Sequence, residues 1–313
     1  MTQESFLTWR TMKHEYLSDI QNKNTRSAYD YALRAYKKGL KAVDADLDPI
    51  TGSFKSLREG IKLWIWEAST KVTGSTMQCH LKGVRLFYRW LIDEGYLEKN
   101  PAENIKVKRK ATGNVEFPDT ELADRFLKFM ERETQSEKVS DIRDYILVRV
   151  LRESGLRVSE IGALRVQDID CETGKVNVIA GKGNKSRVTC IGVETCGMVA
   201  KFVESHNLQP TELMFTAHWA YAWEWPMREE RAKTLKRETI FQILQSRARA
   251  YGFADDEVKL LQSPHGFRHL WTLEHVRGNT DHILITHMAG WTNPGMLMHY
   301  IQTASLEVHV ARR

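Results

Sequence analysis

The stretch SPHGFRHLWTL (263–273) places an unusual cluster of basic and titratable side chains where a helix is predicted to begin. The cluster is His265, Arg268 and His269. Pro264 suits the first turn of a helix, because its missing N–H leaves no helical hydrogen bond unmade. Apolar residues then recur at the spacing of one buried face, at Leu270, Leu273 and Val276. Because the helix dipole disfavours positive charge at this end, the stretch predicts a bound anion.

Composition predicts a chain that stays in the cytoplasm and binds no membrane. With 313 residues, 42% hydrophobic and 27% charged, the chain is long enough for two ordinary globular domains. No apolar run approaches the roughly 20 residues that a membrane helix needs, and the N-terminus lacks the apolar core of a signal peptide. The four cysteines fit neither zinc spacing nor a disulfide framework, which favours a reducing compartment.

Positive charge is concentrated in the N-terminal third of the chain. Residues 1–113 contain 20 Lys and Arg against 13 Asp and Glu, whereas the remainder contains 26 against 27. A basic domain is typical of proteins that bind nucleic acid, although many basic proteins bind none. The distribution therefore favours DNA binding by the N-terminal part.

Hydrophobic periodicity divides the chain into two domains with a linker. Residues 1–105 are predicted to form an all-helical domain. Residues 106–118 (KVKRKATGNVEFP) combine four basic residues with glycine and proline, which is typical of an interdomain linker. Residues 119–313 are predicted to be a mixed but mainly α domain with a small antiparallel sheet. The β-branched runs on either side of GKGN (181–184) predict a hairpin there.

Basic side chains on one helical stripe and in the linker are the candidates for phosphate contacts. They are Lys82, Arg85, Arg89, Lys106, Lys108, Arg109 and Lys110. A solvated helix face or linker is the alternative interpretation. Lys185 and Arg187 of the hairpin are further DNA-contact candidates and compete with Lys182 for a catalytic role.

Five motifs, in this order along the chain, carry a resemblance to a known family. They are GLRVSEIGALRVQDID (155–170), GKGNK (181–185), HGFR (265–268), AGW (289–291) and Tyr300. Each motif alone is weak, but their order and spacing resemble the tyrosine recombinase (phage integrase) superfamily. The sequence is similar to the Xer-type branch, which holds the chromosome-dimer recombinases of bacteria and archaea. The resemblance implies a helical, SAM-like core-binding domain followed by the family's catalytic fold.

The resemblance assigns a role to each matching position. Six residues match the catalytic set, namely Arg157, Lys182, His265, Arg268, Trp291 and Tyr300, the last as nucleophile. Position 291 holds a histidine in most members and a tryptophan in some. Glu160 and His269 are expected to support the site, with His269 packed beneath it.

The chemistry of these residue types agrees with that assignment. Two guanidinium groups can clamp a phosphodiester as negative charge builds on its oxygens. The Tyr300 phenol needs a general base, for which His265 is the candidate, and Lys182 is the natural general acid for the leaving 5′ oxygen. The product is a 3′-phosphotyrosine that a 5′ hydroxyl can reseal. This chemistry needs no metal and no cofactor.

The resemblance also implies partners, and two other functions stay open. The expected partner is double-stranded DNA, bound by a dimer on one site and a homotetramer on paired sites, with an accessory DNA-bending factor as a further candidate. The biological task would be integration or excision of a mobile element, or dimer resolution, in the nucleoid. The alternatives are a type IB topoisomerase-like or telomere-resolving enzyme, and a DNA-binding protein with a decayed site. The Trp-rich segment 217–233 has no assigned role.

Overall fold

The computed structural model describes residues 8–107, 116–179, 186–222, 227, 232–298 and 300–302. The chain forms two compact units, Met1–Asn114 and Val115–Arg313. The division falls within the predicted linker, of which residues 108–115 lie outside the described ranges. The ends of that linker belong to the units, because Val107 packs on the first core and Phe117 on the second. No helix in the described ranges has the length and hydropathy to cross a membrane.

The described residues of the first unit, 8–107, form a bundle of four helices. They are α1 (Trp9–Ser18), α2 (Lys23–Val43), α3 (Phe54–Ala68) and α4 (Gly74–Asp93). Each begins at a residue whose side chain accepts a hydrogen bond from the first turn: Thr8, Asn22, Ser53 and Thr73. Helix α2 packs against both α3 and α4. The hydroxyls of Tyr36 and Tyr88 share a hydrogen bond of 2.6 Å in the core, where water is excluded.

The second unit is built around a buried helix. Its elements are α5 (Thr120–Glu133), α6 (Val139–Ser154), α7 (Val158–Gly162), β1 (Ile169–Asp170), β2 (Lys175–Val178), β3 (Arg187–Cys190), α8 (Val193–Ser205), α9 (Arg237–Ala250), α10 (Asp255–Leu261), α11 (Pro264–Arg277) and α12 (His282–Ala289). Residues 295–298 and 300–302 are also helical. Helix α6 packs against α5, α8 and α11, which explains why most of its residues are buried, the charged Asp141, Arg143 and Asp144 among them.

A three-stranded antiparallel sheet, in the order β1-β2-β3, lies beside these helices. The predicted hairpin is confirmed, with Val176 opposite Thr189 and Val178 opposite Arg187. The two-residue strand β1 was not predicted from the sequence. In β3, Arg187 and Thr189 face inward while Val188 and Cys190 face outward. An arginine therefore occupies a core-facing position next to the candidate site.

Candidate active site

Two glycines with a left-handed backbone conformation lie beside the arginines of the predicted anion site. Gly155 (φ +61°) ends α6 and Gly290 (φ +65°) ends α12, and both conformations favour glycine. Their carbonyl oxygens then accept hydrogen bonds from two arginines: Nη1 of Arg268 donates to Gly155 O at 2.6 Å, and Nη2 of Arg157 donates to Gly290 O at 2.9 Å. The GLR and AGW motifs thus meet through backbone carbonyls.

Glu160 orients Arg157 from one helical turn away. Arg157 precedes α7, and its backbone N–H donates to Glu160 Oε2 at 2.7 Å, while its Nη1 donates to Glu160 Oε1 at 2.9 Å. The spacing of three residues places the carboxylate beside both donors. The Arg157 side chain is 43% exposed, so the guanidinium can still reach a ligand. The supporting role predicted for Glu160 has a geometric basis here.

Arg187 is buried and takes the other side of the same carboxylate. Its Nη1 and Nη2 donate to the two Glu160 oxygens at 2.8 and 2.6 Å, and its Nε donates to Met288 O at 2.8 Å. The residue is only 6% exposed. These contacts correct the prediction that Arg187 binds DNA, because the β3 pleat turns its guanidinium into the protein. Together the arginine donors hold the pKa of the Glu160 carboxyl below its usual range despite its burial.

Arg268 lies at the centre of the cluster. Its Nη2 donates to Ala289 O in addition to the bond with Gly155, and its guanidinium lies 5.6 Å from the centre of the Trp291 ring. Burial and the neighbouring Arg157 lower the pKa of Arg268 to about 10. A bound anion would reverse that effect. The described cluster thus brings three guanidinium groups around one carboxylate, an arrangement that favours a negatively charged ligand.

Tyr300 lies against Trp291 with its ring nearly parallel, at 5.7 Å between centres and 17° between planes. It is 6% exposed, and burial raises its pKa to about 12, although Arg268 acts in the opposite direction. A phenol with that pKa is a weak nucleophile until a base removes its proton. Tyr300 therefore depends on an acceptor placed within hydrogen-bonding distance.

His269 is a hydrogen-bonding partner of the Tyr300 hydroxyl, and the Thr272 side chain is another. Nδ1 of His269 shares a hydrogen bond with the Tyr300 hydroxyl, and the His269 ring contacts that of His265 edge-on at 4.3 Å. Sequence reasoning expected His269 to pack beneath the site and His265 to be the base. The spacing of four residues, which puts both rings on one face of α11, was the signal that would have drawn attention to His269. The role of His265 stays a prediction.

Burial is the largest cause that lowers the pKa of His265, and the charges of Arg268, Arg237 and Arg157 add to it. The imidazole is therefore neutral at pH 7 in the protein without ligand.

Two groups of predicted residues remain outside this cluster. Lys182, Lys185, Lys108, Arg109 and Lys110 lie outside the described residues. In the first unit, Lys82, Arg89 and Lys106 are exposed. Arg85 instead donates to the carbonyls of Ala102 and Ile105 at 3.3 and 2.9 Å, so its guanidinium fastens the end of the unit to α4. Arg85 is partly buried, and its predicted phosphate contact stays a prediction.

Comparison with known proteins identifies the family. Residues 119–307 match the phage integrase family. A XerC tyrosine recombinase of Pelobacter propionicus is 27% identical over 190 residues, which cover 59% of this chain and 58% of that protein. One of Leptospira interrogans is 26% identical over 233 residues, covering 73% of this chain and 68% of that protein. The match with the first of these relatives thus spans less than two thirds of its length.

Solved structures show the same fold. A XerH site-specific recombinase bound to a palindromic difH substrate aligns with a TM-score of 0.70 and 15% identity, covering 92% of this chain and 78% of that one. A Tn1549 transposon integrase in complex with transposon right end DNA aligns with a TM-score of 0.66 and 13% identity, covering 95% and 97%. The resemblance to the tyrosine recombinase superfamily is thereby confirmed, and the chain belongs to the phage integrase family within it.

Proposed function

We propose that the protein is a site-specific DNA recombinase that cuts and rejoins strands through a 3′-phosphotyrosine. The observation that carries this proposal is that consecutive contacts bring Arg157, Arg268 and Tyr300 into one cluster. The two guanidinium groups give this cluster excess positive charge where a phosphate would bind. Family membership supports the same chemistry. The relatives named above include recombinases in complex with DNA.

In the proposed reaction the guanidiniums of Arg157 and Arg268 bind the non-bridging oxygens of the scissile phosphate. Arg268 now donates to two backbone carbonyls, so the phosphate would take over or share those donors. Such preorganised donors are worth about 3–4 kcal/mol each in a transition state. The Trp291 ring stacks on Tyr300 and limits the directions in which the phenol can turn.

The same step needs proton transfer at both ends. A histidine of α11 accepts the Tyr300 proton as its oxygen bonds to phosphorus, and the 5′ oxygen leaves. Lys182 is proposed to protonate that oxygen. The phosphotyrosine retains the energy of the broken bond, so a 5′ hydroxyl from a partner strand can attack it without ATP.

The proposed partner is double-stranded DNA. The protein would bind one site as a dimer and paired sites as a homotetramer. An accessory DNA-bending factor is a further proposed partner, although the chemistry does not require one. Exposed Lys82, Arg89 and Lys106 would add sequence-independent affinity. Work in the nucleoid, on a mobile element or a replicon dimer, is part of the same proposal.

The test uses nicked duplexes of randomised sequence, since a nick near the cleavage point releases the short strand and traps the adduct. Wild type should give detergent-resistant protein–DNA adducts, and Tyr300→Phe should give none while binding the same pool equally well. Adducts from both proteins would exclude Tyr300 as nucleophile. Tight binding without adducts from wild type would favour a decayed site. Strand exchange between two isolated target duplexes then separates a recombinase from a topoisomerase-like enzyme, which would relax supercoils and exchange nothing.

A further inference from the structure

The Tyr300 hydroxyl and Nδ1 of His269 form a direct hydrogen bond between the proposed nucleophile and a titratable ring. The tyrosine lies in the helical residues 300–302, whereas the histidine lies in the second turn of α11. A general base must lie within hydrogen-bonding distance of the proton that it removes. His269 meets that requirement without any rearrangement.

The orientation of the His269 ring is fixed by packing on both sides. The Phe117 ring lies parallel to it, with 5.4 Å between centres and 17° between planes, and His265 contacts it edge-on. Such contacts restrict rotation of the imidazole and keep Nδ1 directed at the phenol. A ring that was only filling space would not need its nitrogen at the nucleophile.

We propose that His269 is the general base that removes the proton from Tyr300, and that the proton does not go to His265. This inference rests on the proposed function. Neutral His269 carries its proton on Nε2 and accepts the phenolic proton at Nδ1 as the Tyr300 Oη–phosphorus bond forms. The bond between phosphorus and the 5′ oxygen breaks, and that oxygen takes a proton from Lys182. On rejoining, His269 returns its proton to the departing Tyr300 oxygen.

The surroundings of His265 suit a different task. Arg268, Arg237 and Arg157 all act on its imidazole, which places it among the groups that would bind the phosphate. The His265 ring can donate a hydrogen bond to a non-bridging oxygen, and the bound phosphate would then favour its protonated form. Among the described residues, His265 from the same helix and the guanidinium of Arg268 are charged or titratable groups that act on the Tyr300–His269 pair. The Thr272 hydroxyl is a further polar group beside Tyr300, and the rings of Phe117 and Trp291, which pack on the pair, do not titrate.

The proposal is tested with His269→Asn, whose side chain can accept a hydrogen bond where Nδ1 lies but cannot take up a proton at neutral pH. Single-turnover cleavage is measured from pH 6 to 9.5 on a nicked duplex that wild type has selected. At pH 7 we expect the rate to fall by about 10²–10⁴-fold, the usual contribution of a general base. Because hydroxide must then remove the proton, the variant should recover about tenfold for each pH unit. Wild type should reach a plateau.

His282→Asn, the same change at an exposed histidine of α12, is the matched control and should behave as wild type. His269→Gln provides a second substitution if the first does not fold, as judged by circular dichroism and DNA affinity. A loss of rate that is equal at every pH would assign His269 a structural role and overturn the proposal. The proposal would also be overturned if the cleavage rate rose with pH in His265→Asn and did not rise with pH in His269→Asn. Wild type that forms no adduct at all would instead overturn the proposed function.

Discussion

Replacing Arg187 with alanine tests whether this arginine is part of the protein interior or of the DNA interface. The substitution removes both hydrogen bonds to Glu160 and the bond to Met288 O. Removing one partner of a buried ion pair costs about 3–5 kcal/mol, since the other charge is left without compensation. Glu160 keeps its bonds from Arg157 and is 15% exposed at the side chain. We therefore expect the lower end, about 3 kcal/mol.

The two units make a single unfolding curve hard to interpret, so the assay is hydrogen exchange of peptides from α6 and α11 in urea. These peptides should lose about 3 kcal/mol of protection, while peptides from α2 and α4 stay unchanged. Arg249→Ala, at an exposed arginine of α9, is the control and should change protection by less than about 0.5 kcal/mol. The interior role of Arg187 would be refuted if Arg187→Ala left hydrogen-exchange protection unchanged and reduced the salt dependence of DNA binding by the equivalent of about one phosphate contact.

Three further outcomes follow from the geometry. Gly290→Ala should destabilise the second unit, because φ is +65° and a Cβ would lie 2.8 Å from Arg187 Cδ. Unaltered hydrogen-exchange protection of peptides from α11 and α12 in urea would contradict this. The double variant Lys82→Ala, Arg89→Ala should reduce the slope of log DNA affinity against log salt concentration by about two. Arg85→Ala should chiefly destabilise the first unit. An unchanged slope in the double variant would mean that Lys82 and Arg89 are solvated surface residues that do not contact DNA. DNA affinity should fall as pH rises through the pKa that His265 has in the DNA complex. The reason is that the bound phosphate raises the pKa of His265, which is lowered in the free protein, so that binding takes up a proton. Affinity of wild type that does not depend on pH, or the same pH dependence in His265→Asn, would contradict a phosphate contact at His265.

The sequence predicted much of the site because each motif has a local physical cause. Glu160 must follow Arg157 by three residues to cap its N–H, and Gly290 must permit a left-handed turn beside Arg187. The two-domain, mainly helical fold follows from periodicity and is confirmed by the described structure and by the family's solved folds.

The contacts of Arg187 and Arg85 show what local sequence patterns do not reveal. Arg187 was predicted to contact DNA, but side chains alternate along a strand, so Arg187 faces inward while Val188 beside it is 38% exposed. Arg85 has carbonyl partners 17 and 20 residues away, which no helical spacing reveals. Likewise, the bond between His269 and Tyr300 joins residues 31 apart and depends on tertiary packing.

The most direct test of the central claim is to identify the amino acid that carries the DNA. Adducts from wild type and the nicked pool are digested with nuclease and protease, and the modified peptide is sequenced by tandem mass spectrometry. We expect a nucleotide joined through its 3′ phosphate to Tyr300. Attachment at any other residue, or through a 5′ phosphate, would contradict the proposed mechanism.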